Sequence, residues 1–129
     1  KMFAFQGRAF GNEIPKYITI TLDPDKDKIY GLNRLDKTKP IQVVEGPIDS
    51  MFLDNCIAVA GADFTRLEKE NTTIIFDNER RNVLQEKDIN DMIISGKTKD
   101  EVQSIINKNS YQGNMAKIRF TTWRRRNAR

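Results

Sequence analysis

Residues 41–49 read Ile-Gln-Val-Val-Glu-Gly-Pro-Ile-Asp, and they establish the type of sheet to expect. The first four are almost continuously apolar, which is typical of a parallel strand buried on both faces. Pro47 suits the first position of a helix, and Ile48, Met51 and Phe52 would share one face of that helix. The stretch therefore predicts a buried strand that leads directly into a helix.

Two further apolar runs continue this alternation. Ile57–Ala60 and Thr72–Phe76 are the predicted second and third strands, and Asp63–Glu70 reads as a short polar helix between them. Strands and helices that alternate with short connections predict right-handed βαβ units and a parallel sheet. Met51, Phe52, Ile74 and Phe76 are expected in its core.

Other elements are predicted on either side of this unit. Thr98 has the position of an N-cap, with Glu101 three residues later as its capping-box partner. Thr38-Lys39-Pro40 resembles a linker into the central unit. The remaining expected elements are strands at Phe3–Phe10, Tyr17–Leu22 and Ala116–Thr122, and helices at Asp88–Ser95 and Thr98–Ile106.

Composition narrows the possible chemistry. The chain has one cysteine, Cys56, and no histidine, which excludes an internal disulfide, a zinc site of several Cys and His, and a histidine base. Any metal ligands must be carboxylates, which favour Mg²⁺ or Mn²⁺. No signal peptide and no run of eighteen apolar residues is visible. We therefore expect a soluble cytoplasmic protein without membrane contact, with Cys56 as a small buried side chain.

Acidic residues follow two of the predicted strands. Glu45 ends the first strand and Asp77 ends the third, while Asp49 and Glu79 follow them closely. Ligands bind beyond the carboxyl ends of parallel strands, and carboxylates gathered there repel one another by about 4 kcal/mol per pair at close range. Each acid alone is more typical of a structural role such as a helix cap than of a metal ligand. As a set, they favour a bound divalent cation.

Positive charge is concentrated at the end of the chain. Lys117–Arg129 contains six basic residues and no acid, which leaves 16 basic and 18 acidic residues in the preceding 116, a net charge of −2. A basic end on a slightly acidic body indicates either a polyanion contact or a solvated tail. Trp123 could stack on a base or close the core.

Two motifs resemble a known fold. Residues 43–49 form an apolar strand followed by Glu-Gly, two residues and Asp, and residues 73–79 form an apolar strand followed by Asp-x-acid. They resemble the two motifs of the toprim fold, which primases, topoisomerases, some nucleases and recombination mediators share. Residues 7–12, 15–17 and 30–32 resemble the stretch that precedes toprim in bacterial and phage DNA primases, and residues 87–92 resemble a later primase segment.

This resemblance implies an α/β architecture. The toprim (Rossmann-like) parallel sheet flanked by helices would occupy residues 40–129. A short β-rich segment, residues 1–39, would be the C-terminal part of the first subdomain of the primase polymerase core. The metal would be held by carboxylates at the sheet edge, of which the first three are catalytic: Glu45, Asp77, Glu79, Asp49 and Asp88. Nucleotide or nucleic acid would contact Arg8, Asn12, Lys16 and Lys87, and, at the basic end, Arg124, Arg125 and Arg126.

The implied activity is synthesis of RNA primers from ribonucleoside triphosphates on single-stranded DNA, with a replicative helicase as a further partner. Two features depart from the primase pattern: Glu79 replaces the usual Asp, and Asn90 replaces the second Asp of the downstream segment. A toprim nuclease and a non-catalytic toprim module that binds DNA or a helicase remain alternatives. A topoisomerase is disfavoured because nothing resembles its separate tyrosine-bearing domain.

Overall fold

A four-stranded mixed sheet lies at the centre of the fold. The computed structural model describes residues 2–59, 71–77 and 86–127, with the side chains of residues 123–127 outside the description. The strands are β1 (Ala4–Arg8), β2 (Tyr17–Thr21), β3 (Ile29–Tyr30), β4 (Ile41–Val44), β5 (Cys56–Val59) and β6 (Thr72–Ile74). The helices are α1 (Ile89–Ile94), α2 (Lys99–Lys108) and α3 (Gly113–Asn127), with single 3₁₀ turns at Leu32–Arg34 and Asp49–Met51.

The three predicted apolar strands form the parallel part of this sheet. The strand order is β3-β5-β4-β6, with β4 parallel to both of its neighbours. Strand β4 is central, so both of its faces are covered and neither requires polar residues. Val43 and Val44, which are successive residues on this strand, are both buried. The expectation of a purely parallel sheet is wrong in one respect, since β3 pairs antiparallel with β5.

The core lies on both faces of the sheet. On one face, α1 and α2 contribute Ile89, Met92 and Val102 to a cluster with Val44 and Ala58. On the other face, a smaller cluster forms around Val43, Ile57 and Val59. Cys56 is buried among apolar neighbours, as predicted, and burial raises the pKa of its thiol to about 12. The thiol is therefore protonated and unreactive near neutral pH.

A separate antiparallel hairpin is made by β1 and β2. Its register places Phe5 opposite Ile20 and Arg8 opposite Tyr17. The two predicted strands are confirmed. Because successive side chains point to opposite faces, Gln6 and Arg8 lie on one face, away from Phe5 and Ile20 on the other.

The cap of α2 confirms the predicted capping box. The side chain of Thr98 accepts a hydrogen bond from the backbone N–H of Glu101, and the Glu101 carboxylate accepts one from the backbone N–H of Thr98. This reciprocal box satisfies two N–H groups that a helix start otherwise leaves unpaired. Asp88 caps α1 in a similar way, by accepting from the backbone N–H of Asp91 at 2.8 Å.

The helix expected after Pro47 is wrong, since only the 3₁₀ turn Asp49–Met51 forms there. A 3₁₀ turn has three residues per turn rather than 3.6, so the predicted apolar face does not persist. Met51 is 55% exposed as a result, while Phe52 packs against the core. Ile74, also expected in the core, is 36% exposed on β6.

The predicted last strand, Ala116–Thr122, is also wrong, because these residues lie within α3. Their alternation places Ala116 and Phe120 four residues apart, which is also the spacing of one helical face. Ile118, which breaks the helical pattern, is 57% exposed. A short period-two pattern was therefore compatible with either structure.

Two other expectations fall partly or wholly outside the described residues, namely the helix Asp63–Glu70 and the end of the second strand at Ala60. The division at residue 39 stays a prediction, although hydrogen bonds from Asn55 cross it. The side chain amide of Asn55 donates to the carbonyls of Asp36, Lys39 and Pro40. Within the described ranges, no helix is long and apolar enough to cross a membrane.

Candidate metal and nucleic-acid site

Glu45 and Asp77 are brought to the same edge of the sheet by the parallel pairing of β4 and β6. Val43 lies opposite Ile74, and the backbone N–H of Ile75 extends the pairing by donating to the carbonyl of Val43 at 2.8 Å. Glu45 follows the last residue of β4, and Asp77 follows two residues after Ile75. The carboxyl ends of neighbouring parallel strands thus present two acids side by side, as the sequence predicted.

The pKa of Asp77 reflects the acidic side chains that surround it. Burial, together with the negative charges of Glu45, Asp49 and Asp88, raises the pKa of Asp77 from 3.8 to about 6, against the opposing effect of Lys87. The ammonium of Lys87 lies 3.9 Å from the Asp77 carboxylate. The edge is therefore a concentration of negative charge that one lysine only partly offsets.

Asp49 is held in place by the glycine before it and by the start of α1. A Cβ atom at position 46 would collide with the Asp49 carboxylate, so Gly46 is required for this arrangement. Asp49 is 8% exposed, and its carboxylate accepts a hydrogen bond from the backbone N–H of Asn90 at 2.8 Å. Burial raises the pKa of Asp49, while the Asn90 hydrogen bond lowers it. Asp49 consequently links the turn after β4 to helix α1.

Asp88 has a clear structural role as the N-cap of α1, through one carboxylate oxygen. Glu79 lies outside the described residues. Among the residues that are described, no three Asp, Glu, Cys or His side chains are arranged to hold a metal ion. The metal roles of all five predicted acids therefore stay predictions, of which the charge cluster at the sheet edge is the physical basis.

Arg34 is a functional candidate that the sequence reasoning missed. It donates to the Ser50 hydroxyl at 2.9 Å and lies over the Tyr30 ring at 5.0 Å. Ser50 is buried, and its hydroxyl donates to the carbonyl of Pro47 at 2.7 Å. Arg34 therefore braces the turn that carries Asp49. The available signal was its place two residues after the Gly31-Leu32 pair that resembles primases.

Only some of the residues predicted to bind nucleotide or nucleic acid lie near the acidic edge. Arg8 lies over the Tyr17 ring at 5.5 Å, and its positive charge lowers the pKa of Asp49, which places it on the acidic side of the fold. Lys87 is beside Asp77. Lys16 and Asn12 are exposed near the end of the hairpin. The side chains of Arg124, Arg125 and Arg126 lie outside the description.

Helix α3 reaches the same region through an aromatic contact. The rings of Phe76 and Phe120 have centroids 5.4 Å apart and are tilted by 33°. Phe76 immediately precedes Asp77. Helix α3, where a final strand was expected, thus brings Phe120 against the end of β6.

The chain matches no protein-family model. It is 35% identical over 152 residues to the DNA primase of Enterobacteria phage T4, a match that covers 95% of this chain and 44% of that protein. The chain thus spans less than half the length of this relative. The identity and coverage show that the two proteins are homologous.

Proposed function

We propose that this chain, a homologue of the phage T4 DNA primase, carries the metal-binding toprim domain of a primase that makes RNA primers on single-stranded DNA. The observation that supports this most strongly is the meeting of Glu45 and Asp77 at the carboxyl edge of β4 and β6. Because the chain spans 44% of its relative, primer synthesis is proposed for the complete protein.

The residues at this edge suit a hard divalent cation. Mg²⁺ is commonly bound by one or two carboxylates, with water and substrate phosphates as its other ligands. Glu45 and Asp77 offer such a pair, Glu79 would join them, and Asp49 and Asp88 would orient water or assist a second ion. A bound cation would also relieve the repulsion that raises the pKa of Asp77.

The bound ion would supply electrostatic stabilisation of phosphate charge and a lowered pKa for an attacking hydroxyl. The protein's own groups would bind and orient the reactants. Lys87, beside Asp77, and Arg8, whose charge acts on Asp49, are placed to attract nucleotide phosphates. No side-chain general base is needed in this scheme. Asn12, Lys16 and Arg124–Arg126 would contact template or nucleotide at greater distance.

Manganese binding tests the metal site directly. The free and bound ion can be distinguished by electron paramagnetic resonance in the wild-type chain and in Glu45→Gln and Asp77→Asn. Asp54→Asn is a matched control, because Asp54 is an exposed acid just before β5, at the opposite end of the parallel strands. We expect at least tenfold weaker binding in the two site variants and no change in the control. Equal binding in all four proteins would contradict the shared site.

Activity then separates primase from the alternative functions. The complete protein should extend primers from ribonucleoside triphosphates on single-stranded DNA in Mg²⁺, and Asp77→Asn should abolish this. Metal-dependent nicking of DNA without nucleotides would instead identify a nuclease. Metal and DNA binding without either reaction would identify a non-catalytic module.

A further inference from the structure

Helix α3 has the charge and exposure of a polyanion-binding element. Its sequence contains five basic residues and no acid. Lys117, Arg119 and Ile118 are exposed, and most of the described first half of the helix faces solvent. Helix α3 has no continuous apolar face, and it has no acidic residues to offset its basic ones. Packing against the rest of the protein therefore does not explain its composition. The residues that precede the basic end of the chain have a net charge of −2, so this surface dominates attraction for a polyanion.

Helix α3 contacts the end of β6 beside the acidic edge through one aromatic pair. Phe120 packs on Phe76, and Asp77 is the next residue along the chain. Lys117 lies three residues before Phe120, which is about 4.5 Å along the helix and on an adjoining face. The aromatic contact therefore places this part of the basic helix beside the end of β6, the strand that leads to Asp77.

Arg119 and Tyr111 form a second recognition feature. The guanidinium of Arg119 lies 4.8 Å from the centre of the Tyr111 ring, and both side chains are exposed. An arginine held against an aromatic ring keeps free N–H donors for phosphate, while an exposed tyrosine offers a surface on which an unpaired base can stack. This combination fits a single strand better than a duplex, whose bases are already stacked.

We propose that α3 is a guide for single-stranded nucleic acid, in which Lys117, Arg119 and Tyr111 bind the strand and the Phe120–Phe76 contact directs it to the carboxylate edge. The binding surface follows from charge, exposure and stacking. Its purpose rests on the proposed function, in which that edge is the reaction site. The occupant is a nucleic acid strand and not an acidic protein, because Tyr111 offers base stacking beside the phosphate-binding cations.

The first test measures binding to a fluorescein-labelled oligothymidylate of about 16 nucleotides, which is long enough for several contacts. Each phosphate contact on a single strand contributes about −0.7 to the slope of log affinity against log salt. Lys117→Ala/Arg119→Ala should flatten that slope by about 1.4 and weaken binding at low salt. Lys99→Ala/Lys108→Ala removes the same charge from α2 and should change the slope much less. Equal effects of the two double variants, or no effect of the first, would contradict the claim that α3 binds the strand.

The second test measures where the bound strand lies. Fe²⁺ in place of Mg²⁺, with ascorbate and peroxide, generates hydroxyl radicals that cleave an end-labelled oligonucleotide of mixed sequence near the ion. Wild-type protein should cleave a few adjacent nucleotides, Phe120→Ala should spread the cleavage along the strand, and Phe120→Tyr should restore it. An unchanged pattern in Phe120→Ala would overturn the guiding role. Binding by α3 without any localised cleavage in the wild type would overturn the guiding role and the metal site together, and leave the nucleic-acid surface standing.

Discussion

Replacement of Asp77 by Asn is expected to stabilise the chain at pH 7 in metal-free buffer. The pKa of Asp77 is raised from 3.8 to about 6 by burial and by Glu45 and Asp49, so its ionisation costs free energy in the folded state. At 1.36 kcal/mol for each tenfold change, the cost is about 3 kcal/mol. The side chain is 23% exposed and lies near Lys87, so we take about 2 kcal/mol after solvent screening. Asn removes the charge at nearly constant volume.

The effect should depend on pH in a defined direction. A carboxyl whose pKa is higher in the folded than in the unfolded state binds protons more tightly when folded. The wild type should therefore lose this part of its stability as pH rises from about 4 to about 6, and the loss should be complete at pH 7. Asp77→Asn should lack this contribution, so the difference in stability between the two proteins should grow over the same range. The two proteins should be nearly equal in stability at pH 4.

Thermal unfolding in EDTA measures this difference. For a chain of this size, 2 kcal/mol corresponds to a rise in Tm of about 8 °C. Saturating Mn²⁺ should stabilise the wild type, by about 2.7 kcal/mol at one hundred times the Kd, and should not stabilise the variant. Asp54→Asn, an exposed charge removal, serves as the control. A variant less stable than wild type at pH 7, or an equal difference at pH 4, would refute the reasoning and make Asp77 a structural acceptor.

Three further changes test the supports of the site. Arg34→Ala should lower the free energy of unfolding in urea by about 2 kcal/mol, because the buried hydroxyl of Ser50 loses a charged donor; Arg34→Lys should recover part of it. Gly46→Ala should weaken Mn²⁺ affinity measured by calorimetry at least tenfold, because its Cβ displaces the Asp49 carboxylate, and unchanged affinity would remove Asp49 from the site. Thr98→Ala should cost about 1 kcal/mol in the same urea titration without altering Mn²⁺ affinity.

Local sequence patterns were sufficient to predict the central strands of the fold and the start of α2. The run Ile41–Val44 predicted a buried strand because a central parallel strand has two apolar faces. Thr98 and Glu101 specified the start of α2 because a capping box involves only near neighbours. The placement of Glu45 and Asp77 together followed from strand direction alone. These predictions needed no knowledge of distant contacts.

The predictions that failed depended on distant contacts. Ala116–Thr122 was compatible with strand or helix, and the Phe120–Phe76 contact that fixes α3 joins residues 44 positions apart. The turn after Pro47 carries Asp49, whose carboxylate accepts from the backbone N–H of Asn90, 41 residues away, and no local pattern predicts that contact. Arg34 was missed for the same reason, since its partner Ser50 lies 16 residues away.

The amide of Asn55 has a practical consequence for limited proteolysis. Lys37 is a trypsin site on an exposed segment of the kind that usually marks a boundary between units, whereas the Lys39–Pro40 bond resists trypsin because of the proline. A protease must draw several residues of its substrate into an extended form, and here the carbonyls of Asp36, Lys39 and Pro40 are bound by Asn55. Resistance to trypsin at Lys37 would therefore report that the hydrogen bonds of the Asn55 amide are intact, and fragments divided near residue 39 for expression would separate Asn55 from Asp36 and Lys39.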